Sequence, residues 1–430
     1  MVRRIGISIV KKFLANQFLK NVTTLALGTV IAQAILVAST PILTRLYSAE
    51  DFGLLALFTS VSTIAAILTT GRYEYAIGLP EKDSDAKHIL VLTLALGATV
   101  SFIYLIAVLF LRFFNGSSLY FELIHSPIVF MIPIYTFASA SFSTLQYWTQ
   151  RQKQYKQISI SSTLQVTGAT LFNVIFGLVG FKTFGLIFSL VIGQILSIFI
   201  LAYIFYKKYD LNEVAFKGIQ EKAKQYINFP KYMIVSDLST AASQQMIPLV
   251  FATLFNSTVV GLFSLANRVL RTPSIVLTSS IGNVFRNDAI DAIRLTGNCK
   301  QLYLSTLKKL LIICVPIYGF LGLVAPWLFS VFFGKDWIES GYFAQIICVM
   351  MIFDFLALPL NSLFYVMKKQ KLYMRIQFIN TITGIFAVYI GYFFFKTAYI
   401  SALFYSLNNV LFSLINLFYT FSFSSQNHKI

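Results

Sequence analysis

Twelve apolar stretches, each about long enough to cross a lipid bilayer, occupy most of this 430-residue chain. A bilayer crossing needs about 20 predominantly apolar residues, and in lipid the backbone must pair with itself as a helix or a closed barrel. The stretches are continuously apolar rather than alternating, which favours helices. The predicted spans are 21–43, 52–71, 89–111, 127–148, 158–181, 184–206, 232–255, 259–282, 310–333, 341–367, 373–395 and 398–421. The sequence therefore predicts an all-α integral membrane protein with 12 transmembrane helices.

The basic residues between the spans predict how the chain is oriented. Lysine and arginine are retained on the cytoplasmic side of a membrane. With the N-terminus inside, the inner segments hold 27 of these residues and the outer loops hold five. We therefore expect both termini to be cytoplasmic. The net charge of +18 has the same origin, so anionic lipid is the expected partner of these residues and nucleic acid is not.

The spans divide into two sets of six around the longest polar break. We expect a cytoplasmic amphipathic segment (1–20), an N-lobe of helices 1–6 (21–206), a cytoplasmic linker (207–231), a C-lobe of helices 7–12 (232–421) and a cytoplasmic tail (422–430). Both lobes begin on the same side of the membrane, which is typical of parallel repeats.

A short internal similarity supports this duplication. LTRLYSAEDFGLLAL, from Leu43, aligns without a gap with FATLFNSTVVGLFSL, from Phe251, at a spacing of 208 residues. The alignment pairs Gly53 with Gly261. Each segment opens its half of the chain, directly after a span that contains a proline.

Four charges inside predicted spans are candidates for a functional site, and one of them, Asp237, lies in the inner third of the seventh span. Arg268 and Arg271 are three residues apart in the eighth span and therefore share a helix face. Asp354, in the tenth span, lies at a similar predicted depth. Charges within the membrane are costly and mark either a buried pair or a pathway. The residues are consistent with an ion pair that locks the second half, or with two arginines that line a cavity for an anionic substrate.

Charges near the ends of the spans are candidates for gates or for ion coupling. Arg72, Glu74 and Asp237 lie at similar depth near the inner surface, where Arg72 and Asp237 could pair across the two halves. Arg45 and Asp51 could do the same at the outer surface. The alternative is that each simply lies at the water interface. Asp237 and Asp354 are also candidates to carry a coupling proton.

Neutral amides within the spans allow two interpretations. They could contact glycan hydroxyls, or they could form hydrogen bonds between helices. The residues are Gln33, Gln146, Gln165, Asn173, Gln194, Gln244, Gln245, Asn361, Gln377, Asn380, Asn408 and Asn409.

No pattern in the chain indicates an enzyme, a metal or another cofactor. The three histidines, His88, His125 and His428, are far apart, whereas metal ligands must converge. The phosphate-binding GxxxxGK[ST] pattern is absent. The longest outer loop, about 112–126, is too short for the catalytic domain expected of a membrane glycan polymerase or ligase.

Two segments resemble a known family. LTRLYSAEDFGLLALFTS, from Leu43, and GRYEYAIGLPEKDSDA, from Gly71, are similar to the start of the oligosaccharide flippases of the polysaccharide transporter family, which includes the O-antigen (Wzx-type) flippases. That family belongs to the multidrug/oligosaccharidyl-lipid/polysaccharide exporter superfamily, with the MATE exporters and the lipid II flippase. The similarity is strongest over about the first 90 residues, and twelve spans rather than fourteen argue against the lipid II branch.

The resemblance implies a MATE-like fold of two six-helix lobes around a cavity. It implies a multi-pass protein of the bacterial inner membrane, involved in O-antigen and lipopolysaccharide biosynthesis, that carries undecaprenyl-diphosphate-linked repeat units to the periplasmic leaflet by alternating access. Other membrane proteins of polysaccharide assembly are expected partners. The alternatives are a multidrug or cation exporter of the same superfamily, which usually needs an acidic cavity, and a membrane polymerase or ligase.

Overall fold

The computed structural model describes residues 28, 30–114, 124–211, 214–367 and 369–426. The predicted N-terminal amphipathic segment, 1–20, lies outside these residues. Within them the chain is helical and contains no strand. The helices are α1 (Val30–Leu46), α2 (Ala49–Thr69), α3 (Asp83–Leu111), α4 (Met131–Arg151), α5 (Tyr155–Val179), α6 (Lys182–Lys208), α7 (Phe216–Gln225), α8 (Ile234–Leu254), α9 (Ser257–Thr296), α10 (Lys300–Phe333), α11 (Ile338–Leu360), α12 (Ser362–Val366), α13 (Gln370–Phe395) and α14 (Ala398–Ser425). Short 3-10 turns at Tyr73–Ala76, Pro127–Phe130 and Lys335–Trp337 and a π turn at Phe229–Met233 complete the described elements.

Nine helical segments in these ranges are long and apolar enough to cross a membrane. They include α2, α3, α5, α6, α10, α13 and α14, together with Pro127–Arg151 and Lys335–Val366, which contain α4 and α11. The helices α1 and α8 contain only shorter apolar stretches, Val30–Leu46 and Gln245–Leu254. The helix α9, which carries Arg268 and Arg271, is too polar to qualify. Eleven predicted spans thus coincide with helices, the described part of the first span lies in α1, and nine segments in the described ranges are long and apolar enough to cross.

The helix α9 is longer than its predicted span. It continues to Thr296, whereas the predicted span ends at residue 282. The added turns are polar overall but place Phe285, Ala289 and Ile293 on one buried face, which is the spacing of an amphipathic helix. Gly297, with φ 81°, ends the helix in the left-handed conformation that glycine adopts readily. A prediction based on continuous apolar runs does not detect such an extension.

The chain packs as two compact units. Among the described residues, unit 1 contains 28, 30–39, 61–114, 124–211 and 214–238, and unit 2 contains 40–60, 239–367 and 369–426. The start of α2 therefore packs within unit 2, and the first residues of α8 pack within unit 1. The predicted lobes, 21–206 and 232–421, are instead groups of helices that we expect to move together. They stay a prediction.

The two repeat segments meet within unit 2. The first turns of α2 and α9 approach so closely that a methyl group on Gly53 would overlap the carbonyl oxygen of Ser257. A methyl group on Gly261 would overlap the carbonyl oxygen of Ala49. Small residues allow helices in membranes to pack backbone to backbone in this way. The glycines that align in the sequence therefore contact each other in the structure.

The residues before Gly53 fix the start of α2. Asp51 accepts hydrogen bonds from the backbone N–H (2.9 Å) and the hydroxyl (2.8 Å) of Ser48, and its own N–H donates to the Ser48 hydroxyl (3.2 Å). This is a reciprocal helix cap. Phe52 packs edge-on against Trp337, whose indole N–H donates to the Thr44 carbonyl at 2.9 Å. Ser48, Asp51 and Phe52 thus each have a structural role at the start of α2.

We expect Gly53→Ala and Gly261→Ala to destabilise the protein by about 1–3 kcal/mol, because the added methyl groups overpack a backbone contact. The midpoint of thermal unfolding in detergent measures this. Gly319→Ala is the matched control, since Gly319 lies within α10 and a methyl group there meets no atom within 4 Å. An equal loss at Gly319 would mean that the helix crossing is not the cause.

Two substitutions at Asp51 separate its capping role from its charge. We expect Asp51→Ala to cost about 0.5–2 kcal/mol because the cap is lost. Asp51→Asn keeps an acceptor oxygen, so its unfolding midpoint should stay close to that of the parent. If Asn destabilises as much as Ala, the charge of Asp51, and not the cap, is what stabilises this turn.

Candidate functional site

A cavity of about 570 Å³ lies within unit 2. Its wall is formed by one face each of α2, α8 and α9 and by one residue of α11, and it combines apolar and polar side chains. The lining residues are Phe52, Leu55, Ala56, Thr59, Ser60, Gln245, Pro248, Ser264, Leu265, Asn267, Arg268, Arg271, Ile275, Thr278, Ser279 and Leu358. Both arginines that the sequence proposed for a cavity are among them.

Arg268 and Arg271 contribute positive charge to this cavity without a carboxylate beside them. Both side chains are half-buried. Among the residues that the structure describes, no carboxylate oxygen lies within 4.0 Å of either guanidinium. A half-buried cation without a carboxylate in contact is unfavourable unless water, an anion or other polar groups compensate it. The cavity is therefore suited to an anion.

Asp354 is held by a hydroxyl rather than by an arginine. Its carboxylate accepts a hydrogen bond from Ser413 of α14 at 2.8 Å. Arg271 interacts electrostatically with Asp354 and with Tyr405, but the described part of the chain contains no ion pair between Arg271 and Asp354. Arg271 also lines the cavity, so an ion pair with Asp354 and the binding of an anion both stay predictions.

Neutral polar groups surround the arginines. The Ser60 hydroxyl donates to Gln245 Oε1 at 3.1 Å, across α2 and α8. The Ser264 hydroxyl is buried and has no hydrogen-bond partner in the structure. Asn267 completes this group. Of these polar groups, only Gln245 was predicted from the sequence. Ser264 and Asn267 could have been found from their spacing, because with Arg268 and Arg271 they follow one face of a helix.

Other amides from the sequence analysis join helices to each other. The Asn408 side-chain amide donates to Asn380 Oδ1 at 2.7 Å, and the Asn380 amide donates to Asn409 Oδ1 at 3.3 Å. These bonds link α13 to α14. For these three residues the structure shows interhelical hydrogen bonds, which was one of the two interpretations.

A second charged cluster lies within unit 1. Arg72 Nε is 2.8 Å from Asp237 Oδ2, and Arg72 Nη1 is 3.2 Å from Glu74 Oε1. The Nε–H bond is not directed at an acceptor, so the contact with Asp237 is an ion pair rather than a hydrogen bond. The Tyr75 hydroxyl donates to Asp237 Oδ2 at 2.9 Å. The structure therefore brings together the three inner residues named from the sequence.

The backbone and the burial of this inner cluster are unusual. Arg72 has a φ of 60°, a conformation that is uncommon outside glycine. The Glu74 side chain is 1% exposed, and its Oε2 has no hydrogen-bond partner. Burial raises the pKa of the Tyr75 hydroxyl; the charge of Arg72 opposes this, and the hydrogen bond to Asp237 adds to it. The cluster thus holds two carboxylates and one guanidinium, of which Glu74 is buried and Arg72 and Asp237 are partly exposed.

The outer residues named from the sequence occupy the turn between α1 and α2. Asp51 forms the cap described above, and Arg45 is exposed. Burial and the nearby Asp51 carboxylate raise the pKa of Tyr47 to about 12. These observations give Asp51 a structural role at this turn. A gate formed by Arg45 and Asp51 stays a prediction.

Metal ligands do not converge in the described ranges, where no group of three or more His, Cys, Asp or Glu side chains could hold an ion. The histidine His88, which the sequence analysis placed at an inner boundary, packs against the linker helix α7.

The fold is that of known membrane transporters. The lipid II flippase MurJ, in an inward closed conformation, superposes with a TM-score of 0.70 at 14% identity, over 92% of this chain and 87% of that chain. An inward-facing multidrug resistance MATE family transporter of the MOP superfamily gives a TM-score of 0.65 at 14% identity, over 92% and 93%. A MOP superfamily transporter from Pyrococcus furiosus gives 0.59 at 15% identity, over 93% and 94%. With nine apolar helices of spanning length, this fold is that of a multi-pass membrane protein.

Sequence comparison identifies the family. No curated protein sequence matches the chain. A family model described as "Polysaccharide biosynthesis protein" matches residues 42–342, which is more than half of the chain. The matched range includes the turn between α1 and α2, the inner cluster and both cavity arginines. The chain therefore belongs to this family of polysaccharide biosynthesis proteins.

Proposed function

We propose that this protein is a flippase for undecaprenyl-diphosphate-linked oligosaccharides. It moves repeat units of O-antigen or a related surface polysaccharide from the cytoplasmic to the periplasmic leaflet of a bacterial inner membrane. The family supports a role in polysaccharide biosynthesis, and the fold supports transport. The observation that carries the proposal is the pair Arg268 and Arg271, which line a cavity without a carboxylate partner.

A sugar diphosphate cannot cross hydrocarbon unaided, because its charges and hydroxyls would lose water without gaining other partners. A guanidinium offers a planar pair of N–H donors that matches two oxygens of a phosphate group. Arg268 and Arg271, one turn apart, bind the diphosphate in this proposal. The cavity volume of about 570 Å³ is that of a ligand-sized site. The polyprenyl tail remains in the lipid, so the cavity needs to hold only the head group.

The neutral groups of the cavity contact the sugar. Ser264 has an unused hydroxyl, and Asn267 and Gln245 supply amides that can donate and accept. Such groups bind hydroxyls without adding charge. They therefore complement the arginines, which contact the anionic end of the same ligand.

The inner cluster acts as a gate in this proposal. The Arg72–Asp237 ion pair joins the turn after α2 to the first turn of α8. Breaking the pair would allow the start of α8 to separate from that turn, which is the kind of change that alternating access requires. Arg45 and Asp51 form the corresponding outer candidates, and Asp237 and Asp354 remain candidates for ion coupling.

An exporter of cationic drugs is the alternative within the same superfamily, and the charge of the cavity argues against it. Two arginines repel a cation, and no acidic side chain is among the lining residues. The likeness to MATE transporters is a likeness of fold at 14% identity and does not identify a substrate.

Replacing both Arg268 and Arg271 with Ala should abolish surface glycan in a strain that depends on this protein. Removing one partner of a buried charged hydrogen bond costs about 2–5 kcal/mol, so each arginine is expected to contribute at least about tenfold to transport. The double Lys variant keeps the charge but loses the planar fork, and an intermediate level of glycan is expected. The measurements are surface glycan on gels and the amount of protein in the membrane.

Arg286→Ala is the matched control, since Arg286 lies on the same helix but is exposed and outside the cavity. Its glycan should equal that of the parent. Unchanged glycan in the double Ala variant at normal protein levels would exclude the arginines from transport. A deletion strain with normal glycan and raised drug susceptibility would favour the exporter instead.

A further inference from the structure

A histidine of α3 accepts one hydrogen bond from the start of the linker helix α7, while its other ring nitrogen bonds within α3. His88 Nδ1 lies 2.8 Å from the carbonyl oxygen of Ser84. His88 Nε2 lies 3.2 Å from the backbone nitrogen of Ala215, which is the N-terminal cap residue of α7. All three residues belong to unit 1. The imidazole therefore connects α3 to the start of the linker helix.

These partners allow only one protonation state of the ring. A backbone carbonyl can only accept, so Nδ1 must carry a hydrogen. A backbone N–H can only donate, so Nε2 must be unprotonated. The neutral Nδ1–H tautomer satisfies both bonds. A protonated His88 would place an N–H at Nε2 against the N–H of Ala215, donor against donor.

The ring of His88 is buried against the linker helix. His88 is 9% exposed. Gly218 of α7 lies directly over the ring, where a methyl group would overlap the imidazole. A charged imidazole here would be largely removed from water and would lose its partner on α7. That combination is unfavourable for a cation.

The remaining contacts of α7 are mostly at the surface. Lys87 pairs with Asp210 at 3.2 Å and Lys222 with Asp85 at 2.9 Å, and each pair has one partner that is more than a third exposed. Such pairs contribute little to stability. The Tyr73 hydroxyl also donates to the Ala223 carbonyl at 2.9 Å.

Apolar packing adds a contact that does not depend on pH. Ile219 and Ala223 of α7 pack on the buried cluster around Tyr73 and Trp148. Tyr73 is adjacent in sequence to Arg72 and Glu74, so the docked helix lies next to the inner cluster. The charged groups on the packed elements are Asp83, Asp85 and Lys87 near His88 on α3, Asp210 before α7, and Lys217, Glu221, Lys222 and Lys224 on α7.

We propose that His88 is a proton-sensitive latch for the linker. Neutral His88 holds the start of α7 on α3, and protonation releases it. Since only the docked state requires the neutral ring, docking is complete at high pH and weakens as the pH falls. The latch concerns the linker and does not depend on which substrate the cavity binds.

Distances between two spin labels in the full-length protein test the latch. Lys156→Cys on α5 and Gln220→Cys on α7 place both labels at exposed positions of unit 1. The three buried native cysteines are replaced with Ala in all variants. At about pH 8 we expect one narrow distance distribution. At about pH 5 we expect the docking equilibrium constant to fall about tenfold, because the hydrogen bond from Ala215 is lost and the new N–H of the buried ring faces another donor, so a broad component should appear.

The variant His88→Gln keeps an acceptor at a similar reach and does not titrate, so its narrow distribution should persist at both pH values. Gly218→Ala should show the broad component at both. Asp85→Asn with Asp210→Asn removes both surface ion pairs and should keep the response to pH. The proposal is wrong if the parent distribution is the same at both pH values, if His88→Gln broadens at low pH, or if it is already broad at about pH 8. Loss of the response in the double Asn variant would assign it to the carboxylates and would also overturn the latch.

Discussion

The close approach of α2 and α9 at Gly53 and Gly261 determines the geometry of the candidate site. Because the first turns of the two helices touch at the backbone, their later turns both reach the cavity. Ser60 of α2 and Arg268 of α9 lie about two turns beyond the crossing on their own helices, and both line the same space. The helix cap of Asp51 and the packing of Phe52 on Trp337 fix the position of this crossing within unit 2.

Much of the fold could be predicted from the sequence, since a helix in lipid must be continuously apolar over a length that physics fixes. The limits lie where this rule does not apply. The amphipathic end of α9, with Phe285, Ala289 and Ile293 on one face, has no apolar run to detect. In the described part of the chain nine helical segments are long and apolar enough to cross, and α9, whose arginines line the cavity, is not among them.

The candidate site could be predicted in part for a related reason. An arginine inside a predicted span is costly, so Arg268 and Arg271 were identifiable from their position alone, and the structure places both at the cavity. Arg72 and Asp237 were candidates to pair because both lie at a similar predicted depth near the inner surface of the membrane. Serine and asparagine, in contrast, are tolerated in membrane helices without a special role. Neither Ser264 nor Asn267 could therefore be identified as a cavity residue from its position alone. The partner of Asp354 could not be predicted, since Ser413 is distant in sequence and carries no charge.

The repeat that brings Gly53 and Gly261 together also relates other positions. At the same spacing of 208 residues, Ser60 corresponds to Arg268, and the N-terminal caps Ser48 and Asn256 correspond to each other. The two turns thus share their caps and their contact glycines, whereas the equivalent cavity position is a hydroxyl in one and a guanidinium in the other. A basic side chain at position 60 would therefore add a third positive group to the cavity wall while leaving the glycine contact between the two helices unchanged.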